Sequence, residues 1–247
     1  MSSQTLIPTL HHLSSSQSFR VLFAFEELNE AHGVQYQLEK YQRSAKRAPE
    51  TLKGPFPLGK APIITLEENG APAKEIYQLQ QYPGILTESR LILQFMSDTW
   101  GNGMWEAQTE TDKRQDVFMQ EFSMSTLASK CNFAVTFESI PPQLPWGLRH
   151  VVSAMIRPVV NYWKADIRPV MELLEETLTE ERPWFSGAKL GLADINMVWP
   201  IDVAWQRDYF DKEKYPKVAK WFTTIRSRPA WKRALEKGGS YNLVTFE

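Results

Sequence analysis

Apolar and polar positions change rhythm along the chain. Thr5 to His11 is a short, partly β-branched run, and Ser14 to Ser18 is a polar loop. Phe19, Leu22, Phe23, Phe25 and Leu28 then recur at helical spacing, with Gly33 suited to the C-cap after His32. Val34 to Lys40 alternates, placing Val34, Tyr36 and Leu38 on one face of a second strand. Strand, helix and strand at this spacing predict a crossover unit with parallel strands.

A loop rich in Pro, Lys and Gly runs from Arg43 to Lys60, and Ile63 to Leu66 reads as a third strand. Asn69-Gly70 is a turn signal, Ile76 to Leu79 fits a fourth strand, and Gln80 to Gly84 is polar. From Thr87, Leu91 to Leu93, Phe95 and Met96 restart a helical pattern that runs to Trp100. The order βαβ, then β, β, α, is that of a thioredoxin-like domain. Beyond it the chain carries helical patterns only. Lys113 to Cys131 and Leu148 to Leu178 are long stretches separated by the breaker run Pro141 to Pro145. Pro158 and Pro169 are expected to kink or divide the second. Ala193 to Trp205 and Val218 to Glu236 complete an all-α half, which places the expected domains at residues 1–104 and 105–247.

Composition narrows the class. Of 247 residues, 43% are hydrophobic and 23% charged, and the net charge of −1 gives no general pull toward nucleic acid or anionic lipid. Cys131 is the only cysteine, which excludes an internal disulfide framework and a multi-cysteine metal site, and fits a reducing compartment. Met1 to Pro8 has no signal-peptide pattern, and no run reaches the roughly 18 apolar residues of a membrane span. His11 and His12 point to opposite faces of a strand, so they do not chelate one metal together. Cys131 reads as a buried, inert thiol.

Three places carry candidate chemistry. Ser14-Ser15-Ser16-Gln17-Ser18-Phe19-Arg20 sets hydroxyls between a strand end and a helix start, where free N–H groups and the helix dipole favour an anion. Taken alone it is equally a serine-rich N-cap loop. Gly59-Lys60-Ala61-Pro62 puts proline at the entry to a strand. A cis peptide before Pro62 would turn the flanking N–H and C=O outward, able to pair with an extended peptide. A trans proline at a strand end is the commoner alternative. Leu86-Thr87-Glu88-Ser89 opens a helix whose free N–H groups suit a carboxylate.

In this order the motifs resemble the cytosolic glutathione transferases, above all the fungal class typified by the first yeast glutathione transferase. The matching stretches are Leu10 to Leu13, Ser16 to Leu22, Tyr41 to Arg43, Ala48 to Leu52, Pro57 to Pro62 and Leu86 to Ser89. In the second half, Gly187, Gly191-Leu192-Ala193-Asp194-Ile195, and Tyr215 to Val218 onward through Trp221, Arg228-Pro229 and Trp231 continue the likeness. The family usually has Ser or Thr where this chain has Gly191.

The resemblance implies a glutathione transferase with a thioredoxin-like domain followed by a helical bundle. It implies glutathione as co-substrate, an apolar electrophile as second substrate, no metal, a homodimer, and a cytoplasmic location without nucleic-acid or membrane partners. Ser16, four residues before Arg20, is the implied hydroxyl donor to the glutathione sulfur, with Ser15 the alternative. Ala61, ahead of Pro62, would offer its backbone to the cysteinyl unit, Lys60 would meet the glycyl carboxylate, and Glu88 and Ser89 would hold the γ-glutamyl end. Glutathione-dependent peroxidase activity is a companion expectation. A specialised biosynthetic or ether-cleaving enzyme and a glutathione-binding regulator with little turnover are the alternatives. A serine hydrolase is disfavoured, since no Gly-x-Ser-x-Gly elbow occurs.

Overall fold

The computed structural model describes residues 6–44, 46–68, 70–74 and 76–246. Thr5 and Asn69, named above in a strand and a turn, lie outside the described residues. Two compact units result, one of Met1–Glu106 with Thr224–Glu247, the other of Ala107–Thr223.

The first unit is built on a mixed sheet. Strand β1 (Leu6–Leu13) is central, parallel to β2 (Gln37–Tyr41) on one edge and antiparallel to β3 (Ile63–Glu68) on the other. The short strands β4 (Ala71–Pro72) and β5 (Ile85–Leu86) share the far edge of β3. Helix α1 (Ser18–His32) crosses from β1 to β2 and ends at Gly33, whose φ of 71° is the left-handed C-cap the glycine was expected to supply. Its buried Phe19, Phe23 and Phe25 belong to the core. Helix α2 (Ser89–Trp100) follows β5.

The expected strand at Ile76 to Leu79 does not form. The edge it would pair with is taken by Ala71–Pro72 and Ile85–Leu86, and Tyr77 and Leu79 are exposed. The apolar run is a solvent-facing loop, tied down where the Gln78 amide accepts from Gly84 N–H.

In the chain after Glu106, α3 (Glu110–Phe122) passes through one widened turn at Ser123–Ala128 into α4 (Ser129–Glu138). A short turn at Pro141–Gln143 leads to the 32-residue α5 (Trp146–Thr177). Pro158 and Pro169 lie inside α5 and do not divide it. The remaining helices are α6 (Leu192–Gln206), α7 (Pro216–Ser227) and α8 (Pro229–Gly238). The expected single stretch from Val218 to Glu236 is broken at Arg228, which is extended before Pro229, as a residue preceding proline prefers. Helix α6 is buried on every side from Leu192 to Ala204, so it needs no polar face.

The last helix returns to the first unit. Trp231 of α8 packs edge-on against Phe19 and Phe23 of α1, at centroid distances of 4.7 and 5.7 Å. Beside them Arg228 forks onto Glu27 with two contacts of 2.6 Å, and Arg233 and Lys237 converge on the fully buried Glu26. These ion pairs join residues about 200 positions apart in the chain.

Candidate active site

The register of the sheet decides which loops meet. His11 of β1 opposes Ile63, the first residue of β3, while Leu13 opposes Tyr41, the last of β2, and Ile64 opposes Leu86 of β5. The Ser14–Gln17 loop, the residues entering β3 and the residues leaving β5 therefore lie at one end of the sheet. Ser15, Ser16, Lys60, Ala61, Pro62, Glu88 and Ser89 are all on these three segments.

The Ala61–Pro62 peptide is cis. Among the described residues, the N–H and C=O of Ala61 take part in no hydrogen bond. Pro62 is buried, and Lys60 is exposed with its ammonium in no ion pair among the described residues. A peptide laid beside Ala61 would find a donor and an acceptor ready to pair in strand fashion.

Ser16, just ahead of α1, and Ser89, the first residue of α2, share one backbone feature. Ser16 follows Ser15 (φ 50°) and Ser89 follows Glu88 (φ 67°), both non-glycine residues in the left-handed region. Such conformations cost roughly 1–3 kcal/mol and persist where the surroundings enforce them, commonly at functional sites. Glu88 is the N-cap of α2, yet no side chain caps that helix end. Its first N–H groups and the buried Ser89 hydroxyl are left for an anion.

The serine loop is held by more than its own hydroxyls. Arg43, just past β2, donates from Nε to Ser14 O (3.0 Å) and from a terminal nitrogen to Ser15 O (3.2 Å). Ser15 Oγ accepts from Asn242 N–H (3.0 Å), and Tyr241 stacks on Phe19 at 4.0 Å. Ser15 thus points its hydroxyl into the C-terminal segment. Ser16 Oγ sits 2.8 Å from both Leu13 O and Ser18 Oγ. Arg43 and the segment from Ser240 to Asn242 went unnamed as site residues in the sequence. Arg43 stands inside a matched stretch, but nothing in the polar C-terminal run announces that it folds over a loop 225 residues earlier.

Both histidines are hydrogen-bonded core residues. His11 bonds Tyr41 and Thr65, and His12 bonds Ser18 at 2.9 Å. Burial holds the pKa of both below the usual value, that of His12 at about 4. Cys131 is buried, its thiol pushed up to about 12, so it is an inert side chain. Among the described residues, no group of three His, Cys, Asp or Glu side chains is placed to hold a metal ion, and no helix is long and apolar enough to cross a membrane.

With this sheet, cis-proline loop and buried α6, the chain is similar to known glutathione S-transferases in sequence and in fold. Residues 157–229 match the family described as glutathione S-transferase, C-terminal domain. The chain is 24% identical over 235 residues to glutathione S-transferase 1 of Saccharomyces cerevisiae, covering 92% of this chain and 94% of the relative. Its fold matches a solved glutathione S-transferase from Actinobacillus pleuropneumoniae with a TM-score of 0.71 and 26% identity, over 96% of this chain and 95% of the other. It also matches the glutathione transferase URE2P8 from Phanerochaete chrysosporium, solved with oxidized glutathione, with a TM-score of 0.66 and 21% identity over 96% of each chain. The chain is thus similar to glutathione S-transferases over nearly its whole length.

Proposed function

We propose that the protein binds glutathione at the end of its sheet and activates the thiol for attack on an apolar electrophile, with Ser16 as hydrogen-bond donor to the sulfur. The observation that carries this reading is the set of unspent groups at one sheet end. They are the N–H and C=O of Ala61 beside the cis Pro62, the Lys60 ammonium, the Glu88 carboxylate and the Ser89 hydroxyl on a helix without a side-chain cap, none of them bonded among the described residues. Each suits one part of an extended tripeptide with a carboxylate at both ends and an ammonium at one. Ala61 pairs with the cysteinyl backbone, Lys60 with the glycyl carboxylate, Glu88 with the ammonium and Ser89 with the γ-glutamyl carboxylate.

A thiol with a pKa near 8.5 is only a few per cent thiolate at neutral pH. Lowering that value by two units is worth about 2.7 kcal/mol. A serine hydroxyl is far too weak an acid to serve as base, so its contribution is a hydrogen bond to the charged sulfur, with the α1 terminus adding to it. Ser15 is the less suited donor because its hydroxyl is turned toward the C-terminal segment, near Ser240 O and Asn242 N–H. The proposal extends to a homodimer in a reducing, cytoplasmic setting, with a boundary near residue 104 and the last helix returned to the first domain.

The test is a titration of the ultraviolet absorbance of bound glutathione thiolate. A depressed thiol pKa, restored toward its free value by Ser16→Ala, supports the mechanism. Restoration by Ser15→Ala alone transfers the role to Ser15. Absence of any glutathione binding removes the enzyme reading and leaves a binding role on a transferase fold.

A further inference from the structure

Behind Ser16 lies a second hydroxyl and behind that a buried imidazole. Ser18 Oγ is 2.8 Å from Ser16 Oγ and 2.9 Å from His12 Nδ1. It also accepts from Leu13 N–H (3.1 Å) and lies 3.2 Å from Leu13 O, a longer contact than the one to Ser16, and Ser16 Oγ accepts from Ser18 N–H (3.2 Å). Ser18 and His12 are 0% and 1% exposed, so water does not compete for these bonds.

A hydroxyl has one hydrogen and two lone pairs, and that stoichiometry gives the chain of bonds a direction. Suppose His12 carries its proton on Nε2. Ser18 then spends its only hydrogen on Nδ1, and the contact between the serines is made by the hydrogen of Ser16, turned inward. Suppose instead the proton is on Nδ1. Ser18 then accepts from His12 and from Leu13 N–H, filling both lone pairs, and donates to Ser16. Ser16 in turn accepts from Ser18 Oγ and Ser18 N–H, filling both of its own. Its hydrogen is then left to be donated, either to Leu13 O at 2.8 Å or to a ligand.

The surroundings of His12 favour the second arrangement. Among the described residues Nε2 makes no hydrogen bond, and it faces Gly238, where a methyl group would stand 3.0 Å away. An N–H there would have no acceptor among the described residues, whereas Nδ1–H has one in Ser18 Oγ. Burial also keeps the ring neutral at physiological pH, so the tautomer is the variable that matters.

We propose that His12 and Ser18 are positioning residues, forming a directed relay from His12 Nδ1–H through the Ser18 hydroxyl that fills the lone pairs of Ser16 and turns its hydrogen toward the thiolate. This inference rests on the reading of Ser16 as sulfur donor. Hydrogen bonds in such chains polarise one another, so the relay also strengthens the last donor.

The experiment titrates bound glutathione in Ser18→Ala, Ser18→Thr, His12→Leu and His12→Asn, beside wild type and Ser16→Ala, with thermal unfolding of each. Ser18→Ala and His12→Leu are expected to raise the thiol pKa by about one unit, a tenfold loss of thiolate stabilisation. Ser18→Thr keeps the hydroxyl and His12→Asn can place an amide N–H where Nδ1–H was, so both should retain the low value. A packing role would lower the unfolding temperature and leave the thiol pKa alone. An unchanged pKa in Ser18→Ala and His12→Leu, with Ser16→Ala raised, overturns the relay and leaves Ser16 standing. An unchanged pKa in Ser16→Ala overturns the reading of Ser16 as sulfur donor, and the relay with it. Imidazole nitrogen resonances of the wild type give a second readout that needs no variant to fold. The Nδ1–H tautomer supports the relay and the Nε2–H tautomer overturns it.

Discussion

The carboxylate of Asp116, on α3, accepts a 2.8 Å hydrogen bond from the backbone nitrogen of Ala193, in the first turn of α6. The same oxygen accepts from Ser186 Oγ at 2.6 Å. Helix α6 begins at Gly191, which has no side chain with which to cap its own N–H groups. Asp116 supplies that cap from another helix, while Asp194 closes the turn by accepting from Phe185, Ser186 and Gly191 N–H and from the Trp221 indole. A Cβ at residue 191 would lie 2.6 Å from Ser186 Oγ and 3.1 Å from the Asp116 carboxylate. The glycine is therefore matched to the Asp116–Ser186 pair that packs against it.

Gly191→Ser accordingly destabilises the protein, although serine is a leading N-cap residue. Overpacking against Ser186 costs about 1–3 kcal/mol, more than the few tenths gained from a better cap. Asp116→Ala costs about 3 kcal/mol, because three buried donors, on Ser186, Ala193 and Gln120, lose their acceptor together. Urea midpoints at constant m-value measure both, and a Gly191→Ser variant as stable as wild type would contradict the account.

The same residues show what the sequence discloses and what it hides. Local signals such as Gly33 and the entry to β3 stood where the patterns put them, because each rests on the backbone of a few neighbouring residues. The Asp116 cap, the Arg43 clamp and the Asn242 bond to Ser15 join residues 28 to 227 positions apart, and no local pattern encodes them. The run at Ile76 to Leu79 misled for a related reason. Its composition suits a strand, but strand formation needs a free edge, and that edge is occupied. In α5 the prolines do not divide the helix. Two prolines inside a 32-residue helix each remove one hydrogen bond, a local loss that the continuing helix outweighs.

The return of α8 makes the first unit dependent on the end of the chain. Glu26 is a fully buried carboxylate satisfied by Arg233 Nε at 2.9 Å, Lys237 Nζ at 2.6 Å and the Tyr36 hydroxyl. Glu26→Ala leaves two cations facing an emptied site and is expected to cost about 3 kcal/mol. Arg228→Lys keeps the charge but loses the two-pronged contact with Glu27, for a cost of about 1 kcal/mol. Truncation after Thr223 removes both anchors with Trp231, and limited proteolysis should then cut first within the sheet unit.

His12 gives stability a pH dependence of defined sign. Its folded pKa of about 4 lies below the unfolded value of 6.5, so the unfolded chain binds more protons between those limits. Its contribution, about 3 kcal/mol at full extent, is present above pH 6.5 and is lost as pH falls toward 4. Asp194 works in the opposite sense. Burial lifts its carboxyl to about 6 against the pull of its N–H donors, so the native state binds the extra proton and gains stability as pH falls through that value. The two partly cancel in the wild type, and the difference from a variant separates them. His12→Asn should gain about 2–3 kcal/mol on wild type between pH 7 and 4.5 in chemical denaturation, and a constant gap would show that His12 does not titrate on unfolding.

Ser89 offers the sharpest separation of binding from folding. It is buried, yet its hydroxyl bonds to nothing among the described residues, and the helix it opens has no side-chain cap. A hydroxyl that makes no hydrogen bond among the described residues gives the fold little, so Ser89→Ala should leave the unfolding temperature almost unchanged. A hydrogen bond to a carboxylate contributes about 1.5–3 kcal/mol, so the same variant should weaken glutathione about 10- to 100-fold, in KM rather than kcat. Lys60→Ala should cost less and mainly at low salt, because an exposed ammonium is screened. Glu88→Gly should part the two properties further. Glycine adopts a φ of 67° without the penalty that glutamate carries, so stability should hold or rise by up to about 1 kcal/mol while glutathione binding falls. If Ser89→Ala instead lowers the unfolding temperature by several degrees with KM unchanged, the hydroxyl serves the helix end and the γ-glutamyl carboxylate binds elsewhere.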